Sequence, residues 1–427
     1  MKIKIINKTY SEVASIPSPR RKKPLRPSIF FRTLVRLVSI PGLMATRAVC
    51  DRGDLHRVKG RPCLILMNHS SFIDPQVASK LLFPSPYAIV STHDGFVGLG
   101  WIMRLIGCIP TKKFVSDTEL LADMRYALHE LGISVLMYPE AGYSFDGRTT
   151  TLPRGLGFLA KKLDVPVVMI TTDGAFQYQP LYNCLKKRKV QVKASARVLF
   201  TPEEAKDMKV SELDRIIDEA FSFDSLRSQQ EQGIRVTEPD RALGLERVLY
   251  KCPVCGSESA MKGEGAKLIC GSCGASWTLS ETGSLVPDGD TERFSHVPDW
   301  NDWQRDEVRR EILDGTYSFG EDVDIYAIKD YRALYRIGNG HLTHGKEGFN
   351  LTGCNGELSY TQSSLASYSV NVDFFWYEIG DVIGIGTGDV LFYCIPRRNV
   401  PVAKVRLAAE ELYKICRAEK RRQKSDT

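Results

Sequence analysis

The chain reads as an α/β domain with a mostly parallel sheet flanked by helices, followed by a small cysteine-rich module and a β-rich C-terminal unit. Three observations predict this. Short apolar runs alternate with helix-period segments between about 63 and 172, two Cys-x-x-Cys pairs follow near 252 and 270, and beyond about 322 short alternating segments are punctuated by Gly, Asn and Asp. A chain of 427 residues exceeds what one ordinary core organises. Its 43% hydrophobic and 26% charged content fits a globular class rather than a disordered or polytopic one. A formal charge of +7 suits anionic lipid, phosphorylated small molecules or nucleic acid about equally, so charge selects none of them.

Taken in order, residues 1–27 are polar and end in the basic cluster Arg20, Arg21, Lys22, Lys23 and Arg26. Next, Ile29, Phe30, Leu34, Leu37 and Val38 recur at helical spacing, and Arg32 and Arg36 share a face four residues apart. Pro41-Gly42 is expected to end or kink that helix. A basic flank before an amphipathic helix is the composition of an in-plane membrane anchor; a helix packing its apolar side on the core is the other reading, and the two are compatible. Nowhere do about 18 apolar residues run together, and the start lacks a signal peptide's apolar core. The expectation is a cytoplasmic protein, peripheral on the inner face of the cell membrane.

Residues 63–68 read as a buried strand, with helices near 75–83 and 117–131. A strand at 133–139, a helix near 155–163 and a strand at 165–172 complete the alternation, whose functional groups belong at strand C-termini. Residues 202–245 look mostly helical. The domain plan is a basic segment 1–27, an α/β domain 28–225, a cysteine module 248–282 and a β-rich unit 295–427. In the last, seven short strands and one terminal helix suggest a pleckstrin-like barrel.

At the end of the first strand stands Asn68-His69-Ser70-Ser71-Phe72-Ile73-Asp74. Across a strand-to-helix turn the Asp accepts one imidazole N–H and leaves the other ring nitrogen free to take a proton from an alcohol. The alternative for this spacing is a loop His that caps the next helix. A second strand ends in Tyr138-Pro139-Glu140-Ala141-Gly142-Tyr143-Ser144, which brings another carboxylate and a small-residue turn to a strand end. Between them, Gly107-Cys108-Ile109-Pro110-Thr111-Lys112-Lys113 offers two cations suited to a phosphate, and Arg154-Gly155 opens a helix whose N-terminus attracts anions.

Over roughly residues 30–200 these blocks resemble the phospholipid and glycerol acyltransferase family that includes 1-acylglycerol-3-phosphate acyltransferases. NHSSFID is similar to its NHxSxxD block, GCIPTKK to its phosphate-binding block, YPEAGYS to FPEGTRS, and VPVVMI to VPIVPV, in the family's order. The resemblance implies that His69 is a general base oriented by Asp74. It also implies that Asn68, Ser70, Pro139, Glu140 and Gly142 shape the acceptor site, with Lys112, Lys113 and Arg154 as its cations. The reaction implied is transfer of a fatty acyl group from acyl-CoA, acyl carrier protein or an acyl phosphate to the hydroxyl of a lysophospholipid or glycerophosphate-like acceptor, with no catalytic cofactor. Three departures bear on the acceptor. Lys113 and Tyr143 stand where the family has Arg, and Ala141-Gly142 replaces its Gly followed by Thr or Ser. Lys112, Lys113 and Arg148 can compensate, or the acceptor is something other than lysophosphatidic acid. The second function class is a non-catalytic lipid- or nucleic-acid-binding adaptor that keeps this fold.

Cys252, Cys255, Cys270 and Cys273 form two knuckles with a glycine after each, the pattern of a zinc ribbon holding a structural Zn²⁺. Their tips are poor in Lys and Arg, which favours a scaffold or a protein partner over nucleic acid. The scattered Cys63 and Cys108 are expected as core residues, His341 and His344 as surface residues on a strand edge.

Overall fold

The computed structural model describes residues 3–115, 117–289 and 293–425. The strands among them are β1 (Ile5–Asn7), β2 (Val49–Asp51), β3 (Leu64–Met67), β4 (Tyr87–Thr92), β5 (Cys108–Thr111), β6 (Ser134–Met137), β7 (Val167–Asp173) and β8 (Lys193–Phe200), then β9 (Met261–Glu264), β10 (Lys267–Cys270), β11 (Ser276–Leu279) and β12 (Leu285–Pro287). The C-terminal unit adds β13 (Phe319–Ile328), β14 (Leu334–Gly345), β15 (Gly348–Gly353), β16 (Leu358–Ser363), β17 (Asn371–Trp376), β18 (Gly380–Gly386) and β19 (Leu391–Pro396).

The first sheet runs β2-β8-β7-β3-β6-β4-β5, parallel throughout except for the antiparallel β7–β8 pair. β3, in its middle, is four consecutive buried residues, as a strand covered on both faces must be. The expected helices lie at Asp74–Leu82, Thr118–Arg125 and Leu156–Leu163, the second continued by a wider turn over Tyr126–Glu130. β3 and β6 are parallel neighbours, so their C-terminal ends share one edge. That edge carries His69 and Glu140.

The N-terminal helix, Ile29–Ala45, runs through Pro41 rather than ending there. Beside Pro41, Gly42 lies against the Gln76 side-chain amide of the helix Asp74–Leu82, where a Cβ would sit 2.0 Å from Oε1 and the glutamine would have to turn aside. The N-terminal helix turns its apolar face outward. Phe30, Leu37, Val38 and Met44 are 67%, 56%, 70% and 72% exposed, whereas Ser39 and Leu43 are buried and Arg32 donates to the Pro84 carbonyl on the protein side. Residues 202–245 are less helical than expected. After Ser225–Glu231 the chain runs in turns and bends to a short 3₁₀ turn at Leu245–Arg247.

β12-β11-β10-β9 form a small antiparallel sheet, with Cys270 at the end of β10, Cys273 in the turn after it and Cys252 and Cys255 in the turn before β9. The C-terminal sheet runs β16-β15-β14-β13-β19-β18-β17, and the helix Val402–Ser425 closes the chain. The strand number and terminal helix match expectation; β16 and β17, the two ends of that path, do not pair among the described residues. The segment 1–27 is more than a basic flank. β1 joins this sheet in parallel with β14 through Ile5 to Asn7, and a short helix at Tyr10–Ala14 sits beside it under a Thr9–Glu12 capping box. One hydrophobic core runs from Val13, Phe145 and Phe176 through Cys252, Trp277 and Trp300 to Ile325, Phe374 and Leu407, so the three units share an interior. His344 lies in that region buried against Phe349 (ring centroids 3.9 Å apart), which corrects its surface placement; His341 is exposed. Cys63 and Cys108 are buried as expected.

Candidate active site at the edge of the parallel sheet

The turn after β3 is held by one fully buried carboxylate. Asp74 Oδ2 accepts the backbone N–H groups of Ser70 (2.7 Å) and Ser71 (3.0 Å) and faces His69 Nδ1 at 3.0 Å. Its Oδ1 accepts the Thr172 hydroxyl at 3.2 Å from the end of β7. Asp74 stands in the first turn of its helix, where the positive end of the helix dipole favours a carboxylate. With Nδ1 committed, Nε2 is the ring nitrogen left to a substrate, and no hydrogen bond occupies it among the described residues.

Glu140 fixes the other side of the imidazole's backbone. It is 1% exposed, and its two oxygens accept the N–H of His69 (2.7 Å) and of Thr150 (2.9 Å). Burial pushes its carboxyl up to about 8, against the pull of those two N–H groups. The Ser144 N–H returns a bond to the His69 carbonyl (3.0 Å), so the two strand-end loops are laced together. Ala141 takes a left-handed conformation (φ 53°) within this turn, while a Cβ on Gly142 would meet open space.

Two tyrosines enclose the imidazole. Tyr138 stacks on His69 with ring centroids 4.0 Å apart, and Tyr143 leans over it at 4.3 Å, itself met edge-on by Phe72. Burial drives both phenols well above the ordinary range, so they stay neutral. Tyr143 therefore brings a ring to the imidazole at the position where the resembled family has a cation. Behind Tyr143 the C-terminal sheet closes in: Phe374 lies tilted against Phe145 at 4.6 Å, and Trp376 Nε1 lies 3.5 Å from Asp94 Oδ2. Burial also lifts Asp373 up to about 6, Lys113 opposing it.

The expected binding residues divide. Asn68 is buried and spent on Thr172, donating to its carbonyl (3.0 Å) and accepting its N–H (2.8 Å), so it ties β3 to β7. Glu140 is likewise committed to backbone, and Ser70 to Asp74 through its N–H. Pro139 is buried in the same turn and Arg154 is exposed before the helix Leu156–Leu163. Lys112 donates to the Gly388 carbonyl of the β18–β19 loop, and burial lowers its pKa. Arg148, expected as a compensating cation, is engaged with Asp302 (2.8 Å) and the Pro298 carbonyl (2.9 Å). Sequence reasoning missed Thr172, Thr150 and the Tyr138 stacking. Thr172 alone left a signal, a hydroxyl at the polar end of the VPVVMITT run.

The four cysteine sulfurs lie within 4.8 Å of one another, with Cys252–Cys273 at 3.8 Å and Cys255–Cys270 at 3.7 Å. Bonds of ~2.3 Å to a tetrahedral Zn²⁺ place sulfurs about 3.8 Å apart, so the set fits that ion. Two ligands are buried and two exposed. No helix among the described residues is long and apolar enough to cross a membrane.

Part of this chain is similar to known proteins. A family model described as Acyltransferase matches residues 48–172. The chloroplastic 1-acyl-sn-glycerol-3-phosphate acyltransferase BAT2 of Brassica napus is 34% identical over 28% of this chain and 35% of its own length. The beta enzyme of the same name from Homo sapiens is 27% identical over 30% of this chain and 46% of its own. The chain thus spans between about a third and a half of the length of these relatives. The crystal structure of the 1-acyl-sn-glycerophosphate (LPA) acyltransferase PlsC from Thermotoga maritima aligns with 48% of this chain and 81% of that one, at 16% identity and a TM-score of 0.35. The residues matched by that family model, 48–172, include His69, Asp74, Lys112 and Glu140.

Proposed function

We propose that the protein is an O-acyltransferase that moves a fatty acyl group from a thioester donor to the hydroxyl of a lysophospholipid or glycerophosphate-like acceptor. The observation that carries this reading is the His69–Asp74 pair, with Nδ1 held at 3.0 Å and Nε2 free at the mouth of the turn. His69 Nε2 takes the acceptor's hydroxyl proton as its oxygen attacks the thioester carbonyl. The new C–O bond forms, the C–S bond breaks, and the departing thiolate receives the proton back from the imidazolium. Asp74 fixes the tautomer and balances the transient positive charge, while the Tyr138 and Tyr143 faces favour it further. No metal enters this chemistry; a Zn²⁺ at the four cysteines would hold the ribbon together.

The outward apolar face of the N-terminal helix supports a membrane-surface location, since its Arg side is the one turned to the protein. Tyr143 in place of a cation favours an acceptor whose phosphate is met elsewhere than beside the imidazole. Incubation of the purified protein with radiolabelled acyl-CoA or acyl carrier protein and a panel of lysolipids and glycerophosphates tests the reading. Ester formation on one phosphorylated acceptor is expected; no product on any acceptor from either donor overturns it.

A further inference from the structure

A cavity of about 390 Å³ lies behind the loop that follows Glu140, and neither His69 nor Asp74 lines it. Its walls come from residues 145–151, residues 221–223, the helix Val297–Leu313 and the terminal helix Val402–Ser425. It exists only because the C-terminal unit closes on the α/β domain, so the segments that build it are far apart in the chain.

The acids on this wall are already met. Glu410 is 1% exposed and accepts from Thr151 and Ser369 (2.9 Å each) and from Arg406 Nε (3.2 Å), with Arg305 Nη1 at 2.7 Å. Asp302 holds Arg148 at 2.8 Å, and Asp146 takes the Asn301 amide at 2.9 Å and the Arg148 backbone N–H at 3.0 Å. The cations are not. Arg406 is 5% exposed, and its Nε bond leaves both terminal nitrogens with no hydrogen-bond partner among the described residues. Arg305 spends Nη1 on Glu410 and Glu411 and leaves Nε and Nη2 likewise. Around them Arg305, Arg309, Arg406 and Lys414 share two carboxylates, Glu410 and Glu411, which leaves two positive charges in excess. Buried guanidinium N–H groups without an acceptor are costly, and an oxyanion can take two nitrogens of one fork at once. Unmet donors on two arginines, no unmet acid and an excess of two charges select a compact dianion.

We propose that this cavity binds a small phosphate dianion, as inorganic phosphate or a phosphate monoester, held by Arg406 and Arg305 with Lys414 at the rim. The site is separate from Lys112 and Lys113, neither of which lines it, and it does not rest on the acyl-transfer reading. It has a short route to the catalytic turn. Thr150, on its wall, donates its N–H to Glu140 (2.9 Å), whose other oxygen holds the His69 N–H (2.7 Å). A bound dianion ties the terminal helix to the loop 149–151 and restrains that loop.

The experiment is a calorimetric titration of the full-length protein with inorganic phosphate and, separately, with glycerol 2-phosphate. Saturable binding is expected, and the tighter of the two identifies the occupant as free phosphate or an ester. Arg406→Gln should weaken it roughly tenfold or more. Because that side chain is buried, Ser222→Glu at the exposed rim is the second variant; it should weaken binding roughly threefold and leave the melting temperature unchanged. Lys113→Ala should bind as the parent does. Amide hydrogen exchange over residues 149–151 should slow when phosphate is added. No saturable binding of either anion, indifference to both charge variants, unchanged exchange over 149–151, or tighter binding of citrate than of phosphate each overturns the assignment. So does loss of binding in Lys113→Ala, which would put the anion at the acceptor cations. None of these measurements needs turnover: a protein that transfers no acyl group can still bind phosphate here, and one that binds none can still transfer.

Discussion

At the scale of single residues the account turns on how two carboxylates are used. Asp74 meets the imidazole, two backbone N–H groups and a threonine hydroxyl, so Asp74→Asn removes the negative charge that faces the imidazole and weakens the bonds it accepts. A loss of transfer of about 10²-fold or more is expected, together with a destabilisation of ~1–3 kcal/mol read from urea melts. Glu140 gives a pH signature. Its folded carboxyl lies near 8 against a free value of 4.5, so the fold favours the protonated form. Stability is therefore complete below about 4.5 and falls as the pH rises through 8, by at most ~1.4 kcal/mol per pH unit. Glu140→Gln should flatten that slope; an unchanged slope would reject the assignment. His69 and Asp74 were legible in the sequence because their spacing and the strand before them are local. The uses of Asn68 and Glu140 were not, since each spends itself on a backbone group far along the chain, Thr172 for one and Thr150 for the other.

At the scale of elements, sequence period located the helices and the middle strands well, because β3, β6 and β7 are continuous apolar runs. It missed β8, whose alternating burial marks a strand with one face exposed, antiparallel to β7, and β1, whose partner β14 lies more than three hundred residues away. The N-terminal helix carries the clearest surface prediction. Replacing Phe30, Leu37 and Val38 with Ser should lower binding to anionic vesicles at least tenfold, each buried apolar side chain being worth roughly 1.5–3 kcal/mol. The same three changes should leave the melting temperature unmoved, and a drop in it would show that the face packs on protein. Trp277 of the ribbon meets Trp300 edge-to-face, ring centroids 4.6 Å apart, inside the shared core. Metal chelation should therefore red-shift the tryptophan emission and lower the thermal midpoint, as should Cys270→Ser; indifference to both would remove the metal from the account.

At the scale of the whole molecule, the modules anticipated from composition are built as one body. The terminal helix inserts Glu410 against Thr151 (2.9 Å) and Ser369 (2.9 Å), and Arg406 lies over Phe145 at 4.6 Å, one residue beyond Ser144 of the catalytic loop. A chain ending near 295 would expose Val13, Phe145 and Phe176, so it should aggregate on expression, whereas the full chain should melt in one transition. No sequence pattern foretold this closure, because each contact joins segments whose local period is satisfied without it. The C-terminal sheet also brings Asp373 to the side of Tyr143 and Trp376 to Asp94, so two units that read as separate in the sequence meet beside the imidazole. What binds the body together is then what frames His69 and Asp74. Its most direct test is the initial rate of ester formation on the acceptor found above, parent against His69→Ala, with the product identified by mass. The parent should form it and the variant should be slower by roughly 10²–10⁴-fold while remaining folded by circular dichroism; equal rates in the two would contradict His69 as the base.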